Sequence, residues 1–230
     1  MARGTQLIQL VTMLRDEVGH ANSVAVGVEA TPGLKQTLRR VQTTLYDDHD
    51  WPFLRQYFTR ITLQAGQRYY DVPNALNLER IEEVAIWFNN LPMPIEKSIG
   101  WEEYTKYDSE TDSRAEPALR WDVRWTGSKE QIEIWPIPAT NDQQLQIRGI
   151  RKLRPLIANS DVCDLDDHMI VLFAAAEILA RDKSPDAQAK LALAQRRYDK
   201  LKGLNARGAP VQNTANETPR QHQRTVVRVS

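Results

Sequence analysis

Apolar residues in this chain recur every three or four positions near both ends and every second position in between. A helix buries one side with the first spacing, whereas a strand in a half-buried sheet does so with the second. Leu7, Val11, Leu14 and Val18 fall on one helical face, with Thr5 placed to cap the helix and Gly19 to end it. After the linker NSVAVGVEA (22–30), Thr31-Pro32 supplies a cap and a first-turn proline. Leu34, Leu38, Val41 and Leu45 then repeat the spacing until DDHDWP, where Pro52 disfavours helix in the residue before it.

From about residue 58 the period is two. FTRITLQ and RYYDV flank AGQ and read as a hairpin. RIEEVAIWF and LPMPIEK flank Asn89-Asn90, which tolerates positive φ, and read as a second one. WEEYTKYDSETDSR reads as a short helix running into a polar loop. ALRWDVRW, EQIEIWPI and QLQIRGI alternate, with Gly127-Ser128 as a turn; Trp121, Val123 and Trp125 share one face of their strand. Prolines 92, 94, 136 and 138 belong at edges or strand ends. Six or seven antiparallel strands are expected. Helix returns after Cys163, with Asp164 as cap and Asp166 and Asp167 in the first turn. MIVLFAAAEILA is apolar nearly all round and needs cover on several sides. Ser184-Pro185-Asp186 starts a last helix with Ala187, Leu191, Ala194, Tyr198 and Leu201 on one face and Gly203 as its stop.

The fold class this predicts is α+β. N- and C-terminal helix pairs form an antiparallel helical bundle (1–56 and 157–203) around an inserted antiparallel β-domain (57–156), and 204–230 is an extended C-terminal arm. Each amphipathic stripe needs a partner, and one core per domain favours the joined bundle over two separate helical hairpins.

The formal net charge is zero, which argues against a protein that coats nucleic acid. Cys163 is the only cysteine, so neither an internal disulfide nor a cysteine-based zinc site can form. No apolar run reaches the roughly 18 residues of a membrane span, and the N-terminus lacks a signal-peptide pattern, so a cytoplasmic location is expected. Phosphate-loop, dinucleotide-turn, zinc-helix and serine-elbow motifs are missing, and no cofactor is expected. Asp47–Asp50 (DDHD) and Asp164–His168 (DLDDH) contain metal-ligand residue types, but a solvated helix end and helix capping explain them better. Tryptophans 87, 101, 121, 125 and 135 lie in or beside the β-domain. With Asp122 and Glu133 they suggest sugar stacking and hydrolysis; the plainer reading is core and interface packing. The interleaved arginines of LRWDVRW suggest base stacking, against a solvated strand face.

Several stretches together resemble the head-to-tail adaptors, or connectors, of tailed bacteriophages: DWPFLRQYF, AGQRYYDVP, EPALRW, IEIWPIPA and DLDDHMIVLFAAAEILARDKSPDAQAKLALA. The resemblance covers about residues 5 to 203. It implies a non-enzymatic virion protein at the head-tail junction. The expected assembly is a homo-oligomeric ring, usually of twelve subunits, beneath the portal protein, with DNA passing through the channel and a tail or head-completion protein on the lower face. The family supplies no catalytic residue.

The segment after Gly203 is polar and rich in Gly and Pro, so it cannot order itself by burial. Its end, TVVRVS, alternates weakly and is β-branched, which suits a strand added to a partner's sheet edge. Arg220, Arg224, Thr225, Val226, Val227, Arg228 and Val229 are therefore the portal-docking candidates, against a frayed terminus without function. Trp87, Trp101, Arg124, Trp125 and Trp135 are the candidates for tail or inter-subunit contacts, because aromatic and arginine side chains concentrate binding energy. A carbohydrate-binding or carbohydrate-active β-module on a helical stalk is the rival; a DNA-binding packaging factor is the third reading.

Overall fold

The computed structural model describes residues 3–19, 24–107 and 113–206. Two helices, nine strands interrupted by a short helix, and two more helices follow in that order among them. Helix α1 (Leu7–Val18) is started by Gln6, whose side chain and that of Gln9 close a reciprocal capping box, and is stopped by Gly19 at φ 75°. Thr5 does not cap it. Its hydroxyl instead donates to Asp167 Oδ2 at 3.0 Å. Helix α2 (Val24–Asp48) starts earlier than the sequence suggested, taking in most of the expected linker, with Pro32 inside it. The Thr31 hydroxyl accepts from Arg15 of α1, so it serves a helix contact rather than a cap. Pro32 deletes one ladder bond, which a helix of this length survives.

The strands form two sheets. In one, β1 (Arg55–Tyr57) and β2 (Ile61–Thr62) pair with β9 (Gln144–Arg151), which pairs with β4 (Leu76–Phe88) and through it with β5 (Leu91–Pro94). In the other, β3 (Tyr69–Asp71), β8 (Glu130–Trp135), β7 (Arg120–Trp125) and β6 (Glu96–Lys97) lie in that order. Two expectations are corrected here. The sheet is not purely antiparallel, since β6 and β7 run parallel. The first predicted hairpin does not form, because β2 pairs with β9 while β3 pairs with β8. Leu63 and Tyr70 both turn into the space between the sheets, at 0% and 3% exposure, so each strand takes a deeper partner than its neighbour in sequence. Gly66, at φ 78°, carries the chain across.

The β4–β5 hairpin does form, with Asn89 and Asn90 both at positive φ. Pro92 and Pro94 sit on edge strand β5, where a missing N–H breaks no central ladder. Leu63, Val84, Ile86, Leu145 and Ile147 meet Tyr70, Trp121, Ile132 and Ile134 in one buried cluster between the sheets. Helix α3 (Trp101–Lys106) covers the outer face of β8, with Tyr104 packed on Trp135.

Helix α4 (Asp167–Arg181) is buried along most of its length, as its apolar surface requires, and packs against α1, α2 and α5 (Asp186–Ala206). Asp166, not Asp164, is its cap, accepting from the Met169 N–H at 3.0 Å. Helix α5 runs past Gly203 to Ala206, and its Leu191 stays 42% exposed although Ala187, Ala194, Tyr198 and Leu201 are buried. Leu10, Leu14, Leu38, Leu45, Met169, Ile170, Ala174 and Tyr198 belong to one buried cluster drawn from all four long helices. The chain segments flanking the insertion also meet directly: Gly4 and Leu7 donate backbone hydrogen bonds to Cys163 and Asp161, and Cys163 donates to Thr5.

Candidate functional site

Among the tryptophans singled out, Trp101 and Trp125 are 87% and 67% exposed. Both owe this to position. Trp101 opens a six-residue helix beside a loop, and Trp125 shares a strand face with Trp121 but lies where β7 outruns its cover. Trp87 is half-buried on the outer face of the larger sheet, its indole N–H donating to Gln146 at 2.7 Å and its ring covered by Arg60 at 3.6 Å. Trp135 must be withdrawn from the contact candidates. It is fully buried, its N–H donating to the Glu103 carbonyl at 2.9 Å, because α3 folds over the β8 face that the strand pattern alone left open.

Arg124 and Glu133 belong to one charged network. The Glu133 side chain is 1% exposed and accepts from Arg68 at 2.7 Å, from the Tyr104 hydroxyl at 2.8 Å and from Arg124 at 3.0 Å. Arg124 reaches Asp122 as well, at 3.3 Å. Hydrogen bonding to Glu133 holds the Arg124 guanidinium above its usual pKa, and burial, aided by Glu133, raises that of Tyr104. A carboxylate so enclosed has no open side toward a sugar oxygen. The Asp122/Glu133 pair is thus part of the sheet's framework.

The acidic stretch before α4 divides its work. Asp164 is buried and joins Arg151 at 2.8 Å and Arg154 at 2.5 Å. Burial opposes its ionisation, but the bonds from both arginines outweigh that and hold the carboxyl below the usual range. Asp166 accepts from both Nε and Nη2 of Arg197, at 3.1 and 2.7 Å, which ties the start of α4 to α5. His168 lies outside these pairs, and Asp47 and Asp50 face Arg80. Among the described residues no group of three or more His, Cys, Asp or Glu side chains is placed to hold a metal ion.

Two surfaces escaped the sequence reading. An open groove of about 510 Å³ lies between α2, α4 and α5, floored by apolar side chains that include Val41, Phe173, Ala180 and Leu191, with Arg40 and Asp48 in its walls. Leu191 was assigned to the buried face of α5; its exposure marks where that face runs beyond its cover. The second is Ile157, 68% exposed on the loop before α4, a loop to which the N–H of Ile8, itself 42% exposed, is bonded through the Asn159 carbonyl. Nothing periodic in the sequence marks a loop isoleucine.

The docking candidates Arg220, Arg224, Thr225, Val226, Val227, Arg228 and Val229 lie outside the described residues. No helix among those described is long and apolar enough to cross a membrane.

The described residues thus combine four long helices and two sheets with exposed aromatic side chains and charged residues held in ion pairs. Residues 5–224 match the model of the SU10 adaptor protein family, and the chain belongs to this family of phage head-to-tail adaptors. The match runs past Gly203 into the polar tail, farther than the resemblance seen in the sequence, and stops just before Thr225. No curated protein matches the chain.

Proposed function

We propose that the protein assembles as a ring, of twelve subunits, beneath the portal of a filled capsid, with DNA passing through the central channel and the tail docking below. The observation that carries this reading is the family match from residue 5 to residue 224, which takes in both helical ends and the whole insertion. Within the ring, residues 1–56 and 157–203 act as one antiparallel bundle that fixes the angle between neighbours, and 57–156 form the inserted β-domain. The backbone bonds between residues 4–7 and 161–163 support this, since they fasten the two ends of the chain together around the insertion. Trp101 and Trp125 are the tail or inter-subunit anchors, with Arg124 on the same sheet as Trp125 and Trp87 on the outer face of the other sheet.

The arm from residue 204 grips the portal. Thr225 to Val229 add a strand to a sheet edge there, and Arg220, Arg224 and Arg228 pair with acidic side chains. Ordering such an arm costs entropy, and repetition around a ring multiplies its avidity. Electron microscopy of the protein mixed with its portal tests both levels. The full chain should give a second ring coaxial with the portal. Deleting residues 212–230 should leave melting unchanged and abolish attachment. Equal attachment by the shortened chain removes the arm, and no second ring from the full chain removes the reading itself.

A further inference from the structure

Ile157 is exposed on a loop that is held rigidly from both sides. Its N–H and that of Ala158 both donate to Asp161 Oδ2 at 2.6 Å, and its carbonyl accepts from Arg39 Nη2 at 3.0 Å. Arg39 Nε also donates to the Leu156 carbonyl, Lys35 Nζ to Asn159 Oδ1 at 2.6 Å, and the Ile8 N–H to the Asn159 carbonyl at 3.2 Å. Ile157 is therefore a preorganised apolar knob, which loses little loop freedom when covered, and exposed Ile8 joins it from the start of α1, whose N–H bonds to the same loop.

The groove lies on the other side of the same helix. Val41, Thr44, Leu45 and Asp48 of α2 line it, whereas Lys35, Arg39, Gln42 and Tyr46 hold the segment 151–159. At 3.6 residues per turn the two sets point roughly 140° apart. A ring needs such a pair of unlike faces, because its contacts are head to tail. The charges also match. Among the described residues Lys35 and Arg39 flank the knob with no carboxylate partner, while the groove wall carries Asp48, which accepts from the Tyr198 hydroxyl and feels the charge of Lys202 without a close ion pair, next to the mutually paired Arg40 and Glu177.

We infer that the groove between α2, α4 and α5 receives the Ile8–Ile157 knob of a second copy of the chain, and that this contact, repeated, closes the ring. The inference rests on the ring reading and assigns its subunit contact to named residues.

The test pairs Ile157→Cys with Gln188→Cys, and separately Ile8→Cys with Leu191→Cys, in the full chain assembled on its portal. The native Cys163 does not interfere, being fully buried with a thiol pKa pushed up by that burial. Mild oxidation should give a reducible ladder of dimers, trimers and larger species from a paired variant and none from its single variants. Ile157→Asp should abolish the ring while leaving melting unchanged. Rings seen by microscopy that give no ladder with either pair overturn the contact and leave the ring reading intact, as does a ring that persists with Asp at position 157. Absence of any ring from the unmodified chain overturns both.

Discussion

Trp135 and Trp101 were both candidates for contact surfaces, yet one is fully enclosed and the other 87% exposed. Trp135→Ala should cost about 3–5 kcal/mol in urea unfolding, while Trp101→Ala should leave stability unchanged and weaken assembly. Glu133 shows the same dependence on surroundings. Removing it in Glu133→Ala leaves Arg68 and Arg124 facing an emptied site. The loss should be about 2–3 kcal/mol, below the roughly 3–5 of an enclosed pair, since Arg124 is 43% exposed and rehydrates. Asp164 makes the fold sensitive to acid. Its pKa is depressed by folding, so the stability it contributes is fully present above the unfolded value, about pH 4, and is lost as pH falls through the lower folded value. Asp164→Asn should flatten that acid limb, as read by urea midpoints across the range. The sequence showed acids ahead of α4 but not which one would cap, since capping, pairing and Thr5 contact are decided by Arg151, Arg154, Arg197 and Thr5 arriving from elsewhere.

Among the elements, the two long hairpins were legible because their turns are local. Asn89 and Asn90 adopt φ 51° and 61°, the left-handed geometry that hairpin pairing demands. Asn90→Val should destabilise by about 1–2 kcal/mol and Asn90→Gly should not, by thermal melting. The pairing of β2 and β3 was illegible, because Leu63 and Tyr70 gain more by entering the core between the sheets than by pairing across AGQ. Gly149 marks another long-range constraint. A Cβ there would stand 2.8 Å from the Arg80 carbonyl, where β4 shifts register against β9. Gly149→Ala should therefore lower stability by about 1–3 kcal/mol, although an alanine suits a strand better than a glycine does.

At the scale of the whole molecule, β9 joins the two cores. Leu145 and Ile147 belong to the cluster between the sheets, and Ile150, three residues on, to the cluster among the helices. Arg151 extends the link by pairing with Asp164 just before α4. Neither core can loosen far without disturbing that strand, so the chain should unfold in one transition. Far-ultraviolet dichroism of the helices and tryptophan fluorescence of a Trp51→Phe variant, whose remaining tryptophans all lie between residues 57 and 156, should give coincident curves. Separate midpoints would show two independent units.

The sequence by itself determined the kinds of element and their order, the Gly19 stop of α1 and the Asn89-Asn90 turn, and the family to which the chain belongs. These follow from interactions within a few positions, or from patterns that repeat along the chain. The division of strands between two sheets, the enclosure of Trp135 and Glu133, the partners of Asp164, Asp166 and Asp167 at the start of α4, and the groove and the knob were decided only by tertiary structure. Each of these depends on which distant surface covers a residue, and burial is a property of the packed molecule that no local pattern contains.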